Sequence, residues 1–338
     1  MAVGKQIRLT RLAFVIYEHP SIDTFAAFAE DFGFVEAGPA SKQGERFYRG
    51  YGVDPYVYVA REAPEKRFVG AGFVAESAED FRRASQLEGA KTLDTSDRPG
   101  GGEAISLTDP NKFTVVIVWD QEPRSTPEHG VSALKGRPAM NGALDKRRKG
   151  DFTRMKHGPA MVHKLGHFGY ITPNFEDTCA WYQGRFNFVP TDMLHAPGNT
   201  SLDVAVFFRL DQGQAFVDHH CFLIARGDTA KTSVHHSSFE VEDIDTQFMG
   251  HQWLKQKGHD LVWGIGRHVH GSQIFDYWYD PSRFIIEHYA DGDVVNEDTE
   301  TLHAEAGNMA VWGPPVPAIW GAKAEESDHP KPLSGISG

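Results

Sequence analysis

The sequence predicts an α+β chain of two homologous halves, each built from βαβββ modules. Three matched pairs of segments, in the same order in both halves, carry this reading. The first pair is RLAFVIYEHPSIDTFAAFAEDFGFV (residues 11–35) and KLGHFGYITPNFEDTCAWYQGRFNFV (164–189). Each runs from an apolar strand through a Pro-containing turn to a helix and a Phe-x-Phe ending. Ile22, Phe25, Ala29 and Phe32 share one helical face, as do Phe175, Thr178, Tyr182 and Phe186. The second pair is AGFVAESAEDF (71–81) and SSFEVEDIDTQF (237–248). Here a strand leads into an acidic helix start, with Ser77 and Asp243 as N-caps. The third pair is DPNKFTVVIVW (109–119) and DPSRFIIEHYA (280–290), an Asp-Pro turn followed by a strand of β-formers. Repetition of strand, helix and strands within each half makes four modules in all.

Length agrees with two units. At about 150 residues per domain, 338 residues make roughly two. We assign residues 1–120 to the first half and 121–160 to a linker rich in Pro, Gly and charge. The second half is 161–295, and a tail runs over 296–338. The linker carries Lys146-Arg147-Arg148-Lys149, read as a solvated arm. A net charge of −12 argues against a nucleic-acid partner, which needs a basic surface. No apolar run approaches the ~20 residues of a membrane span, and MAVGKQIRLTRLAF lacks the apolar stretch of a signal peptide. Cys179 and Cys221 form neither a disulfide framework nor a zinc-finger spacing, so the expected home is the cytoplasm. Cys221 reads as a small buried residue.

Chemistry concentrates in the second half, where 15 of the 17 histidines lie after residue 150. Aligning the repeats isolates three departures. His167 stands where the first half has Phe14, His236 where it has Gly70, and Glu287 where it has Val116. A carboxylate in the strand FIIEHY costs several kcal/mol to bury unless paired or coordinated. Two imidazoles and one carboxylate at equivalent repeat positions point to a metal site with open positions, typical of mononuclear Fe(II). Strand alternation puts His235 with Phe239 and Val241 on the helix-covered side, and His236 with Ser238 and Glu240 on the cavity side.

These residues resemble the type I extradiol ring-cleavage dioxygenases of the vicinal oxygen chelate superfamily. The most specific stretch is GRHVHGSQIFDYWYDPSRFIIEHY (266–289), joined by LGHFGY and VHHSSFEVED. The likeness covers about residues 162–292, and the first half only through the repeat. It implies the vicinal oxygen chelate fold, with His167, His236 and Glu287 as ligands of Fe(II), or of Mn(II), which accepts the same donor set. It implies that His268 and Tyr277 hydrogen-bond substrate and oxygen. It implies an acid–base histidine of near-neutral pKa in the strand DHHCFLIA, where we favour His220 over His219. The implied partners are a small aromatic diol and O2, and the implied assembly is a homo-oligomer. One departure is Arg283, where the family has Gly two residues after the turn Pro; its long side chain is expected to alter the turn or to contact substrate.

Two other functions are weighed beside ring cleavage. A glyoxalase-type metal-dependent isomerase or lyase commonly spreads its ligands over paired modules, against which stand Phe14, Gly70 and Val116. A non-catalytic small-molecule binder of this fold needs no metal triad. The tail holds an island, MAVWGPPVPAIW (309–320), whose two tryptophans need cover. We expect it either to close over the second-half cavity or to dock on an outer surface or subunit interface.

Overall fold

The computed structural model describes residues 6–125, 140–228 and 231–320. In the first half, β1 (Leu9–His19), α1 (Ile22–Phe32), β2 (Val35–Glu36), β3 (Arg46–Arg49) and β4 (Tyr58–Glu62) make one βαβββ module. A second follows as β5 (Arg67–Ala75), α2 (Ala78–Ser85), β6 (Lys91–Leu93), β7 (Glu103–Thr108) and β8 (Thr114–Trp119). The second half repeats them. Its elements are β9 (Leu165–Thr172), α3 (Phe175–Arg185), β10 (Phe188–Ala196), β11 (Asn199–Leu210), β12 (Val217–Asp218) and β13 (Phe222–Arg226). Then come β14 (Ser233–Glu240), α4 (Ile244–Gln256), β15 (Leu261–His268), β16 (Ile274–Tyr279) and β17 (Ile285–Ala290). The second half ends with β18 (Val294–Val295), and the described tail adds β19 (Leu302–Glu305) and β20 (Ala310–Trp312).

Three of the four helices, α1, α2 and α4, begin where a side chain satisfies a free N–H group. Ser77 accepts from the amide of Asp80, and Asp243 from that of Thr246. The two sheets then share one strand order. The first is β2-β3-β4-β1-β5-β8-β7-β6, and the second is β10-β11-β13-β9-β14-β17-β16-β15 with β19 and β20 added at its edges. In each, an antiparallel pair joins the two modules: β1 with β5, and β9 with β14. Both pairs carry a β-bulge at the same repeat position, Val69 in the first and His235 in the second.

Helices cover the outer faces of both sheets, and one core runs between the halves. It includes Tyr17, Phe25, Phe28 and Phe32 from the first half and Phe168, Tyr170, Tyr182 and Phe239 from the second. Hydrogen bonds cross the same junction. Tyr17 Oη lies 2.6 Å from Ser237 Oγ, and His288 Nε2 donates to the Phe32 carbonyl at 2.8 Å.

The inner faces differ. In the first half Phe14, Phe47, Tyr56, Val69 and Val116 pack into an apolar cluster over the positions that are polar in the second half, and only a polar cleft lined by Glu18, Glu45, Arg61 and Arg98 stays open at one end. Gly72 admits the Phe14 ring, since a Cβ there would lie 2.3 Å from it. In the second half the concavity stays open.

Both Asp-Pro turns place the residue two after Pro in the left-handed region, Lys112 at φ 70° and Arg283 at φ 65°. Such backbone favours Gly. Arg283 keeps the turn, is exposed, and directs its guanidinium to Asp260 and the Tyr279 ring, so the expected disturbance or substrate contact does not arise.

Among the described residues of 121–160 there is neither helix nor strand, and the Lys146–Lys149 run is largely exposed. Residues 126–139 of that expected linker, and 321–338 of the tail, lie outside the described residues. The described part of the tail packs on the second sheet, as expected of its apolar island. β19 pairs with β10 and β20 with β15, since open sheet edges offer unpaired backbone groups.

Two outcomes follow. Gly72→Ala should lower unfolding free energy by about 1–3 kcal/mol through overpacking, read from the urea midpoint. Asp280 sits buried at the junction, its Oδ2 3.8 Å from His19 Nδ1, and burial pushes its carboxyl up to about 7. The folded state thus holds this proton more tightly than the unfolded chain. Its contribution is full below about pH 4 and is lost as pH rises through about 7. A flatter stability profile over that window in Asp280→Asn is the expected result; an unchanged profile would exclude this carboxyl.

Candidate metal centre

Three neighbouring strands of the second sheet, β9, β14 and β17, carry the three departures of the repeat. Ser238 lies opposite His167 on one side and Glu287 on the other. His236, two residues from Ser238, projects from the same face. The first half shows the same register, with Gly72 between Phe14 and Val116. The sequence equivalences therefore hold strand by strand.

Their ligand atoms converge. His167 Nε2 is 2.8 Å from His236 Nε2, and Glu287 Oε2 is 3.3 Å and 3.4 Å from these two nitrogens. Among the described residues this is the one group of three such donors with all atoms within 4.8 Å of one another. Glu287 is 0% exposed, and neither of its oxygens has a hydrogen-bond partner. A buried carboxylate with both oxygens unpaired is costly. Two imidazole nitrogens turned to one point add a second demand, for a cation between their lone pairs. The donor set thus fits a divalent ion accepting nitrogen and oxygen ligands. Burial lowers His167 to about 4, keeping it neutral, as a ligand must be.

The other expected residues surround this point. His268 Nε2 is 2.8 Å from Tyr277 Oη and 3.8 Å from Glu287 Oε1. His268 Nδ1 faces the Met309 carbonyl at 3.1 Å, which can only accept, so the ring proton sits on Nδ1. Nε2 is then an acceptor, and the Tyr277 hydroxyl donates to it. The His220 ring lies 4.2 Å from that of His167, centroid to centroid. His220 and His219 precede β13, in the segment after β12, and so are not within a strand as expected. Their Nδ1 atoms are 3.0 Å apart. His219 turns Nε2 towards Asp192 Oδ2 at 3.4 Å, and the same oxygen accepts from His270 Nδ1 at 2.6 Å. Those two imidazoles hold Asp192 well below the usual carboxylate range although burial opposes them.

Burial, with His167, His219 and His236 close by, pushes His220 well below its ordinary value. At neutral pH it is therefore a proton acceptor, and it can donate only after taking a proton from the bound molecule. The Asp192 carboxylate favours the His219 proton on Nε2, leaving His219 Nδ1 to accept from His220 Nδ1. That directs the bare His220 Nε2 away from the pair.

His235 does not lie on the helix-covered side. The bulge between Val234 and His236 breaks strict alternation, so both histidines line the cavity. This cavity, about 330 Å³, also takes in Phe207, Leu223, Met309 and Trp320. Sequence reasoning did not single out Asp192, His235 or His270 as part of the site. Val69, at the equivalent bulge, belongs to the first-half inner cluster, so the bulge turns the same repeat position inward in both halves; alternation in the sequence carries no signal of it. Cys221 is buried, its thiol pushed up by burial, as expected for packing.

Comparison with known proteins agrees with this architecture. Residues 164–288 match the Glyoxalase/Bleomycin resistance protein/Dioxygenase superfamily, which meets the resemblance read from the sequence on the second half. Metapyrocatechase 2 of Cupriavidus necator is 26% identical over 233 residues, 67% of this chain and 65% of that protein, a little under two thirds of its length. A Mn(II)-bound glyoxalase from Novosphingobium aromaticivorans is 23% identical with a TM-score of 0.69, covering 91% of both chains. Homoprotocatechuate 2,3-dioxygenase from Brevibacterium fuscum, in complex with 3,4-dihydroxyphenylacetate, has a TM-score of 0.76 at 14% identity, covering 94% of this chain and 93% of its own. At these identities the solved structures show the fold. No helix among the described residues is long and apolar enough to cross a membrane.

Replacing His167, His236 or Glu287 singly by Ala should abolish stoichiometric metal binding, measured by elemental analysis after dialysis, with circular dichroism retained. Full metal content in all three variants would refute the centre.

Proposed function

We propose that the chain is an extradiol dioxygenase. It would insert both atoms of O2 into a catechol or trihydroxylated aromatic and cleave the ring bond beside the vicinal diol. The observation that carries this reading is the unpaired, fully buried Glu287 facing the Nε2 atoms of His167 and His236, two residues that line the cavity. Similarity to a metapyrocatechase over two thirds of the chain supports the same reaction class. In this reading the first half (1–120) is a scaffold without ligands, 121–160 a linker, and 161–295 the catalytic half.

His167, His236 and Glu287 would hold Fe(II), with Mn(II) the alternative for the same donors. Such an ion, when bound with open positions, supplies a Lewis-acid and redox centre. The remaining work falls to this chain. His220 Nε2, bare and turned to the cavity, takes a proton from a substrate hydroxyl and later returns it to the cleaving product. Tyr277, donating to His268, offers its oxygen to the second hydroxyl. Phe207, Leu223 and Met309 bound the ring with apolar surface. Trp320 and the described tail residues 306–309 act as a lid that excludes water.

Oxygen uptake by the metal-loaded protein with a catechol panel, followed for yellow ring-fission product, tests the reading. Uptake matched to product is expected. Isomerisation of a substrate without oxygen uptake would replace it with a glyoxalase-type function. His220→Asn should retain metal and slow turnover by about 10²–10⁴, the range for loss of general acid–base catalysis. Normal turnover in that variant, with a slow His219→Asn, would move the role to the neighbouring histidine.

A further inference from the structure

The bulge in β14 brings His235 and His236 side by side with Nδ1 atoms 2.6 Å apart. Two imidazole nitrogens approach this closely only when one carries a proton and the other does not. His236 points Nε2 at His167 Nε2 and Glu287. A lone pair facing the metal point leaves the His236 proton on Nδ1. His235 must then accept it, and is itself neutral with its proton on Nε2. Metal-binding histidines ordinarily donate this second proton to a carboxylate, a backbone carbonyl or water. Here an imidazole takes it. The partner is not free to turn, because its ring stacks on Trp320 at 5.1 Å and 14°. His167 has no such support, since its Nδ1 is buried without a partner. The orientation of the two histidine donors is therefore secured from one side only.

We propose that His235 is a positioning residue for the metal, holding His236 in its metal-binding tautomer, and that Trp320, stacked on His235, couples metal affinity to seating of the C-terminal tail. The inference rests on the reading of His167, His236 and Glu287 as ligands. Coupling of this kind is reciprocal: a seated tail tightens the metal, and the metal seats the tail.

The test is a set of Mn(II) and Fe(II) dissociation constants from chelator competition on the full chain, with limited proteolysis of the tail as a second readout. His235→Phe keeps a ring under Trp320 and removes the acceptor. It should weaken metal binding about 10–100-fold, the usual effect of losing an outer partner. His235→Asn, which can place an oxygen near the former Nδ1, should recover most of the affinity. Trp320→Ala should weaken binding by a smaller factor. Metal should slow tail proteolysis in the natural chain and not in His235→Phe. Wild-type affinity in His235→Phe overturns the proposal, as does a loss in His235→Asn equal to that in His235→Phe. If His235→Phe does not fold, His235→Asn and Trp320→Ala decide: near-natural affinity in the first with weakened affinity in the second upholds it, and any other pattern overturns it. Metal retained by His236→Ala would instead refute the ligand assignment and leave the role of His235 without object.

Discussion

A carboxylate that is wholly buried and bonded to no donor is the constraint around which the second half is arranged. Glu287 sits on β17 between core residues of the sheet, with both oxygens unpaired. Burying such a group without compensation costs several kcal/mol. The chain tolerates it because two neighbouring strands aim imidazole nitrogens at the same point. The concavity above is open for the same reason. Side chains that would have filled it with apolar contact are replaced by groups that need an ion.

The first half shows what the fold does without that demand. Phe14 occupies the place of His167, Val116 that of Glu287, and Val69 that of His235, all inside one apolar cluster. Gly70 takes the place of His236, and a Cβ there would lie 1.8 Å from the Thr114 carbonyl oxygen. No ligand side chain can be carried at that position without moving β8. The first sheet is thus closed to metal chemistry by packing as well as by composition. Its outer face meanwhile shares a core with the second half, adding apolar burial that helps offset the polar centre.

Much of this was legible from the chain. The repeat alignment isolated three residues, and they stand on neighbouring strands because register is conserved between the halves down to the bulge. N-caps and Asp-Pro turns were legible because their chemistry is local. What was not legible depends on breaks in regularity or on distance. Alternation assigned His235 to the wrong face because one extra residue in a strand resets the period. Asp192 reaches His219 and His270 only after β10 packs beside its neighbours, and nothing near Asp192 in sequence announces it. The strands of the tail depend on edges that exist only once the second sheet has formed.

Neutrality is the feature that links the parts of the site. His167 and His220 are kept uncharged first by burial, and each contact around them sorts protons among ring nitrogens. A carbonyl at Met309 fixes His268, a carboxylate at Asp192 fixes His219 and through it His220, and the metal point fixes His236 and through it His235. Each assignment follows from the chemistry of the partner rather than from the histidine itself, since a neutral imidazole has one donor and one acceptor. With one carboxylate and two neutral rings as donors, a divalent ion held here would keep one of its two charges unspent. An ion so held favours a ligand that arrives with an ionisable hydroxyl and finds a base to take its proton. In the proposed reading, the vicinal hydroxyls of a catechol would meet that condition, with the bare Nε2 of His220 as the base.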